Sequence, residues 1–200
     1  MKSPLHYQAT RYDCGPTTIL NSIMYMFDRE EIPPDIVRHI GICTLDSYNN
    51  EGHPGMKGTS SAAIRYFASW LNELRFAGLL PVGGQYIEKE QVNLSKDSAI
   101  ISALSEGDAV VLHVFHNEGH YILLTGICDD GIMAFDPYYG GNMVDRQGVI
   151  SVSDQPLSHN VILSQTVLEG ENRDYYSMGE ISTREALIVM RKPFENMYYI

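Results

Sequence analysis

The hydrophobic periodicity of the chain changes near residue 108, and this change constrains the fold more than any other feature. Three apolar runs of strand length follow it, at Ala109–Phe115, Tyr121–Ile127 and Ile132–Phe135. Two turn-forming stretches, Asn117-Glu118-Gly119 and Asp129-Asp130-Gly131, separate the runs. Short apolar runs divided by such turns predict consecutive antiparallel strands.

Before that point the spacing of apolar residues is helical, at three and four positions. Helices are predicted over four segments: Pro16–Phe27, Asp35–Ile40, Thr59–Phe76 and Asp97–Ser105. Gly83-Gly84 predicts a turn before a short strand, Gln85–Glu88. Gly41–Gly58 is rich in turn-forming residues and predicts a long loop, of the kind that often forms a cleft wall or a lid.

The rest of the chain is predicted to alternate short strands with loops. The strands are Val149–Val152, Val161–Leu168 and Ala186–Met190. Helices first and strands second predict an α+β fold, in which N-terminal helices pack on a C-terminal antiparallel sheet. A length of 200 residues suits a single domain spanning 1–200.

Composition narrows the classes of function. The net charge is −11 with 14 Lys and Arg, which disfavours binding to nucleic acid. The acidity either keeps the protein soluble, the favoured interpretation, or steers a cationic peptide or amine towards a cleft. No apolar stretch is long enough for a membrane helix, and the N-terminus lacks the apolar core of a signal peptide. Three cysteines do not suggest a disulfide framework, so a cytoplasmic protein is expected.

Cys14 is the candidate nucleophile. Pro16 suits the first turn of a helix, which places Cys14 at or just before the helix N-terminus. Backbone N–H groups and the positive end of the helix dipole stabilise a thiolate there. The alternative is a buried, inert cysteine, because free cysteines are among the most buried residues.

Three of the seven histidines, His113, His116 and His120, lie close together in the sequence. Their spacing resembles that of metal ligands, but neither Cys-x-x-Cys nor His-Glu-x-x-His accompanies them, and a strand would point His113 and His116 to opposite faces. We therefore expect no metal and no cofactor.

His120 is the candidate base. The apolar runs before and after the Asp129-Asp130-Gly131 turn can pair as a hairpin. In such a hairpin the start of the run before the turn lies beside the end of the run after it, which places His120 next to Asp136. A carboxylate there would orient the imidazole and favour its charged form. Taken separately, His120 could be a surface histidine and Asp136 a turn residue before proline.

Gln8 lies six residues before Cys14. Its side-chain amide could donate a hydrogen bond to an oxyanion, with the backbone N–H of Cys14 as the second donor. The alternative is an ordinary polar loop residue.

Taken together, these residues resemble the papain-like cysteine peptidases, and within them the bacteriocin-processing peptidases that cut after double-glycine leaders. The resemblance covers roughly residues 5–140. It rests on three stretches: Gln8-x-x-x-x-Asp13-Cys14-Gly15 with its helix, Gly58-Thr59-Ser60 opening the second long helix, and Gly119-His120-Tyr121 with its strand leading to Asp136-Pro137-Tyr138-Tyr139-Gly140. The Cys-Gly-Ser/Ala-Cys-Trp/Tyr signature of plant and lysosomal papains is absent.

The resemblance implies a role for each of four residues. Cys14 would be the nucleophile, Gln8 the oxyanion donor, His120 the general base and then acid, and Asp136 its orienting partner. The family's processing domains are often fused to a membrane transporter, and nothing in this chain resembles one. The Gly41–Gly58 loop is longer than in the family, and residues 141–200 have no counterpart there. These departures concern the double-glycine substrate more than the nucleophilic chemistry.

Three functions remain open. The first is hydrolysis of a peptide or isopeptide bond through a Cys14 thioester. The second is transfer of the same acyl group to an amine or thiol, because water and an acceptor compete for one intermediate. The third is peptide binding without catalysis. The expected partner is a peptide or protein substrate, without nucleic acid or membrane, and the sequence carries no signal for an oligomeric state.

Overall fold

The structure, a computed structural model, describes residues 1–138 and 146–194. Its helices are α1 (Cys14–Met26), α2 (Pro34–Thr44), α3 (Ser61–Phe76), α4 (Ala99–Ser105) and α5 (Gln165–Leu168). Its strands are β1 (Val82–Glu88), β2 (Ala109–His116), β3 (Glu118–Cys128), β4 (Gly131–Phe135), β5 (Val149–Ser151), β6 (Val161–Leu163) and β7 (Glu185–Arg191).

The strands form one antiparallel sheet in the order β1-β7-β2-β3-β4-β6-β5. The predicted α+β class and the consecutive antiparallel pairing of β2, β3 and β4 are confirmed. The last strand, β7, lies between β1 and β2, so the C-terminal part of the chain completes the interior of the sheet. A register shift between Leu124 and Gly126 marks a bulge in the β3–β4 pair.

Alternate residues of the strands face two separate cores. Val111 and Leu123 face the core that contains residues of α1, α2 and α3. Leu112 and Ile122 face the second core, which contains residues of α4. This period of two is expected of a sheet covered on both faces. None of the helices in the described ranges is long and apolar enough to cross a membrane.

The prediction of a turn at Gly83-Gly84 is wrong, because both glycines lie inside β1. A Cβ atom on Gly84 would lie 2.7 Å from the backbone oxygen of Ala68 in α3. Glycine is therefore needed for the close approach of helix and strand, and not for a change of direction.

Other predicted boundaries need smaller corrections. The predicted strand Val161–Leu168 ends at Leu163, where Ser164 caps the short helix α5 by accepting the N–H of Val167. The predicted loop Gly41–Gly58 starts later, because α2 continues to Thr44.

Candidate active site

Cys14 is the first residue of α1 and is buried. The carboxylate of Asp13 accepts the N–H groups of Ala9 and Thr10 at 2.9 and 2.6 Å, which ties the preceding segment to the start of the helix. A Cβ atom on Gly15 would overlap the side chain of Thr59. The glycine after the cysteine therefore lets the chain just before α3 close against α1.

His120 and Asp136 lie together, as the hairpin predicted. His120 Nε2 and Asp136 Oδ1 are 2.8 Å apart, and both side chains are buried. Burial alone would lower the pKa of His120, but hydrogen bonds with Asp136 and Cys14, together with their charges, raise it to about 9. Because Nε2 contacts Asp136, Nδ1 is the ring nitrogen left to interact with Cys14.

Asp136 is held by groups that follow it in the chain. Tyr176 donates its hydroxyl to Oδ2 at 2.8 Å, and the Tyr138 N–H donates to Oδ1 at 2.8 Å. The Asn160 side chain accepts the Asp136 N–H and donates to its carbonyl, both at 2.8 Å. Burial alone would raise the pKa of Asp136, but the hydrogen bond and charge of His120 lower it. The carboxylate is therefore fixed in position and ionised.

His116 stacks on His120, with ring centroids 4.2 Å apart, and on Tyr175 at 3.8 Å. Its Nε2 atom lies 3.3 Å from Asp136 Oδ2 but makes no hydrogen bond with any of residues 1–138 or 146–194. Burial, and then the charge of His120, lowers the pKa of His116 to about 4. At neutral pH, His116 is therefore neutral and His120 is charged.

Gln8 lines a pocket of about 420 Å³ together with Cys14 and His120. Its backbone N–H donates to Pro137 at 2.8 Å, which holds Gln8 beside the segment that carries Asp136. Its side-chain amide donates to the Thr10 carbonyl at 2.7 Å. An amide nitrogen carries two hydrogens, so one is left for an oxyanion, and the role of Gln8 stays a prediction.

Cys14 also lines a larger cleft, of about 690 Å³. Asn49, Gly58 and Thr59 line this cleft together with His113 and Tyr121 of the sheet. Part of the predicted loop, including Asn49 and Gly58, therefore lines the cleft.

The sequence did not single out Asn160, Tyr175 or Tyr176. All three follow residue 140, where the resemblance ends. The adjacent tyrosines are the one available signal, and nothing in the sequence connects them with Asp136. Tyr139 and Gly140, the end of the third matching stretch, lie outside the described residues.

His116, His120 and Asp136 are also the residues that could hold a metal ion. Their ligand atoms lie within 4.8 Å of one another, and imidazole and carboxylate are zinc ligands. A metal there would replace the contact between His120 and Asp136. This set differs from the His113, His116 and His120 spacing noted in the sequence, because Asp136 takes the place of His113, which lines the large cleft.

No protein-family model matches the chain, and no curated protein matches it. Among solved structures, the chain is similar to the peptidase domain of Streptococcus ComA, described as a bi-functional ABC transporter involved in a quorum-sensing pathway. The two are 12% identical, with a TM-score of 0.44, over 95% of this chain and 98% of that one. The neighbour is thus the peptidase domain of a transporter. The roles proposed below rest on side-chain geometry and not on this similarity.

Proposed function

We propose that the chain is a cysteine peptidase that cleaves a peptide or isopeptide bond through a Cys14 thioester. The observation that carries the proposal is a buried imidazole, His120, which interacts with Asp136 on one side and Cys14 on the other. A nucleophile, a base and a group that orients the base are the components of such a site.

The first half of the reaction forms the thioester. With a pKa of about 9, His120 is protonated at neutral pH, which suits a thiolate–imidazolium pair. The Cys14 sulfur adds to the acyl carbon, and its oxygen becomes an oxyanion that the Cys14 N–H and the Gln8 amide stabilise. His120 then donates its proton to the leaving nitrogen, and the carbon–nitrogen bond breaks.

The second half regenerates the enzyme. Neutral His120 removes a proton from water, and the resulting hydroxide adds to the thioester carbon. The carbon–sulfur bond breaks, which releases the carboxylic acid product and the Cys14 thiolate. Asp136 keeps the imidazole in place and stabilises its charged form throughout. All three cysteines are free in the structure, which suits a reducing compartment such as the cytoplasm.

The test is to trap the intermediate. The protein is incubated with a peptide library and quenched in acid, and mass spectrometry identifies what is attached to each cysteine. We expect an acyl group on Cys14, none on Cys43 or Cys128, and no turnover by the Cys14→Ala variant. A Cys43→Ala variant is the matched control and should retain turnover. Equal turnover by Cys14→Ala and wild type would overturn the proposal.

A further inference from the structure

A second buried carboxylate, Glu185, lies outside the proposed catalytic group. It is the first residue of β7, and 6% of its surface is exposed. Tyr121 donates a hydroxyl to Oε1 at 2.5 Å, and Tyr86 donates to Oε2 at 2.8 Å. Within 1–138 and 146–194, Glu185 forms no ion pair. Its oxygens thus accept neutral donors, and a carboxylate has room for further ones.

Glu185 lines a side pocket of about 540 Å³. Thr59, His113 and Tyr121 line this pocket and also the large cleft that contains Cys14. The side pocket is therefore a branch of the cleft, within reach of a chain bound across Cys14.

The position of His120 indicates which part of a substrate would enter this branch. His120 lines the smaller pocket, and it lines neither the large cleft nor the side pocket. The leaving amine must lie near His120 to receive its proton. The acyl part of the substrate then extends into the large cleft, towards Glu185.

We propose that the side pocket binds the cationic side chain of a lysine or arginine on the acyl side of the scissile bond, with Glu185 as its counter-ion. This inference rests on the proposed function, because it uses the direction of the substrate across Cys14. A buried carboxylate without a cationic partner is costly, and an incoming ammonium or guanidinium group would supply that partner.

The groups around Glu185 agree with this assignment. Burial lowers the pKa of His113, so this neighbour is neutral and does not compensate the carboxylate. Lys57 also lines the side pocket, but it is exposed, and it is not paired with Glu185 in the part of the chain that the structure describes. The formal net charge of −11 adds a general attraction for cations.

The experiment measures alkylation of Cys14 by acetylated tripeptide chloromethyl ketones. Lysine, norleucine or glutamate is placed at the first or second residue before the reactive group. Norleucine has the four-carbon side chain of lysine without the charged nitrogen. In at least one of the two positions, we expect lysine to react about tenfold faster than norleucine, and glutamate to react slowest. A lysine-to-norleucine ratio near one in both positions overturns the proposal.

Substitutions test whether Glu185 causes the preference for lysine over norleucine. Glu185→Gln should bring the ratio close to one, whereas Glu118→Gln, the same substitution on the exposed rim of the cleft, should preserve it. Lys57→Met should raise the ratio, because it removes a competing cation from the side pocket. Lys57 is exposed, so this variant should fold even if Glu185→Gln does not. A preference that survives in a folded Glu185→Gln variant also overturns the proposal.

A separate measurement distinguishes failure of the side-pocket proposal from failure of the proposed peptidase function. Iodoacetamide carries no peptide, so its rate with Cys14 reports the nucleophile alone. If Cys14 is inert to iodoacetamide and to every ketone, the proposed function fails. The same tripeptides as amides are then titrated calorimetrically into Cys14→Ala. Tighter binding of the lysine peptide supports the subsite, and equal or undetectable binding overturns it.

Discussion

The β2–β3 hairpin places two histidines beside the same carboxylate, yet their chemistry is opposite. His120 and His116 stack with centroids 4.2 Å apart, and both lie within 3.3 Å of an oxygen of Asp136. The pKa of His120 is raised to about 9, whereas that of His116 is lowered to about 4.

The difference follows from their partners. His120 makes a hydrogen bond with Asp136 and interacts with Cys14, so its charged form has an acceptor on each side. His116 lies between His120 and Tyr175, and its Nε2 atom has no hydrogen-bond partner among the residues that the structure describes. The positive charge of His120 opposes a second charge on His116. Proximity to a carboxylate is therefore not sufficient, and a hydrogen bond of good geometry determines which imidazole carries the proton.

The largest expected effect is on catalysis. His120→Ala should lower kcat/KM by about 10²–10⁴-fold, the usual contribution of a general acid–base group. His116→Ala should lower it by less than about tenfold, equal to about 1.4 kcal/mol, because it removes a covering ring and not a proton donor. Peptide turnover of both variants checks this. An equal loss in the two, with unchanged melting temperatures, would contradict the separate roles.

The next effect is on stability in alkaline solution. The folded-state pKa of His120 is raised from 6.5 to about 9. Protonated His120 therefore adds to the free energy of unfolding fully below pH 6.5, and this stabilisation is lost as pH rises through 9. The stabilisation lost is on the order of 3 kcal/mol. Urea unfolding of wild type and His120→Gln from pH 6 to 10 checks this, and the difference between them should shrink with pH.

Cys14→Ala provides a control for that measurement. The substitution removes one of the two groups that raise the pKa of His120. The alkaline loss of stability should therefore begin at a lower pH in Cys14→Ala than in wild type. An unchanged onset would show that Asp136 alone sets the charge of His120.

A comparable effect of opposite sign is expected in acid. The folded-state pKa of His116 is lowered from 6.5 to about 4. Neutral His116 therefore adds to the free energy of unfolding above pH 6.5, and this stabilisation is lost as pH falls towards 4. His116→Phe keeps an aromatic ring and removes the titration. Between pH 6.5 and 4 the variant should lose less stability than wild type in urea unfolding, and parallel curves would refute this assignment.

The smallest effect concerns the ring that covers His116. Tyr175→Ala removes the stacked ring at 3.8 Å and exposes His116 to water, so its pKa should rise towards 6.5. The pKa of His120 should change less, because Asp136 and Cys14 still hold it. Titration of both imidazoles by NMR measures the two values, and a larger change at His120 would mean that the stack stabilises its charge.

Much of the site could be predicted from the sequence because its parts lie at recognisable local positions. Cys14 follows from the start of a helix, and the pairing of His120 with Asp136 follows from a hairpin, where a turn relates the two strands directly. Gly83-Gly84 shows the limit of local patterns. The pair suggested a turn, whereas a helix packed against the strand explains Gly84.

Local sequence patterns were sufficient to predict the α+β class, the three consecutive strands and the candidate residues Cys14, His120 and Asp136. The position of β7 between β1 and β2, which buries Glu185 beside the cleft, is visible only in the folded chain. The tertiary structure also decided that Asn160 and Tyr176 hold Asp136, and that His116 covers His120 without sharing its charge. The reason is sequence distance. A hairpin or a helix start is set by neighbouring residues, whereas a contact such as that between Tyr121 and Glu185, 64 positions apart, depends on the packing of the whole sheet.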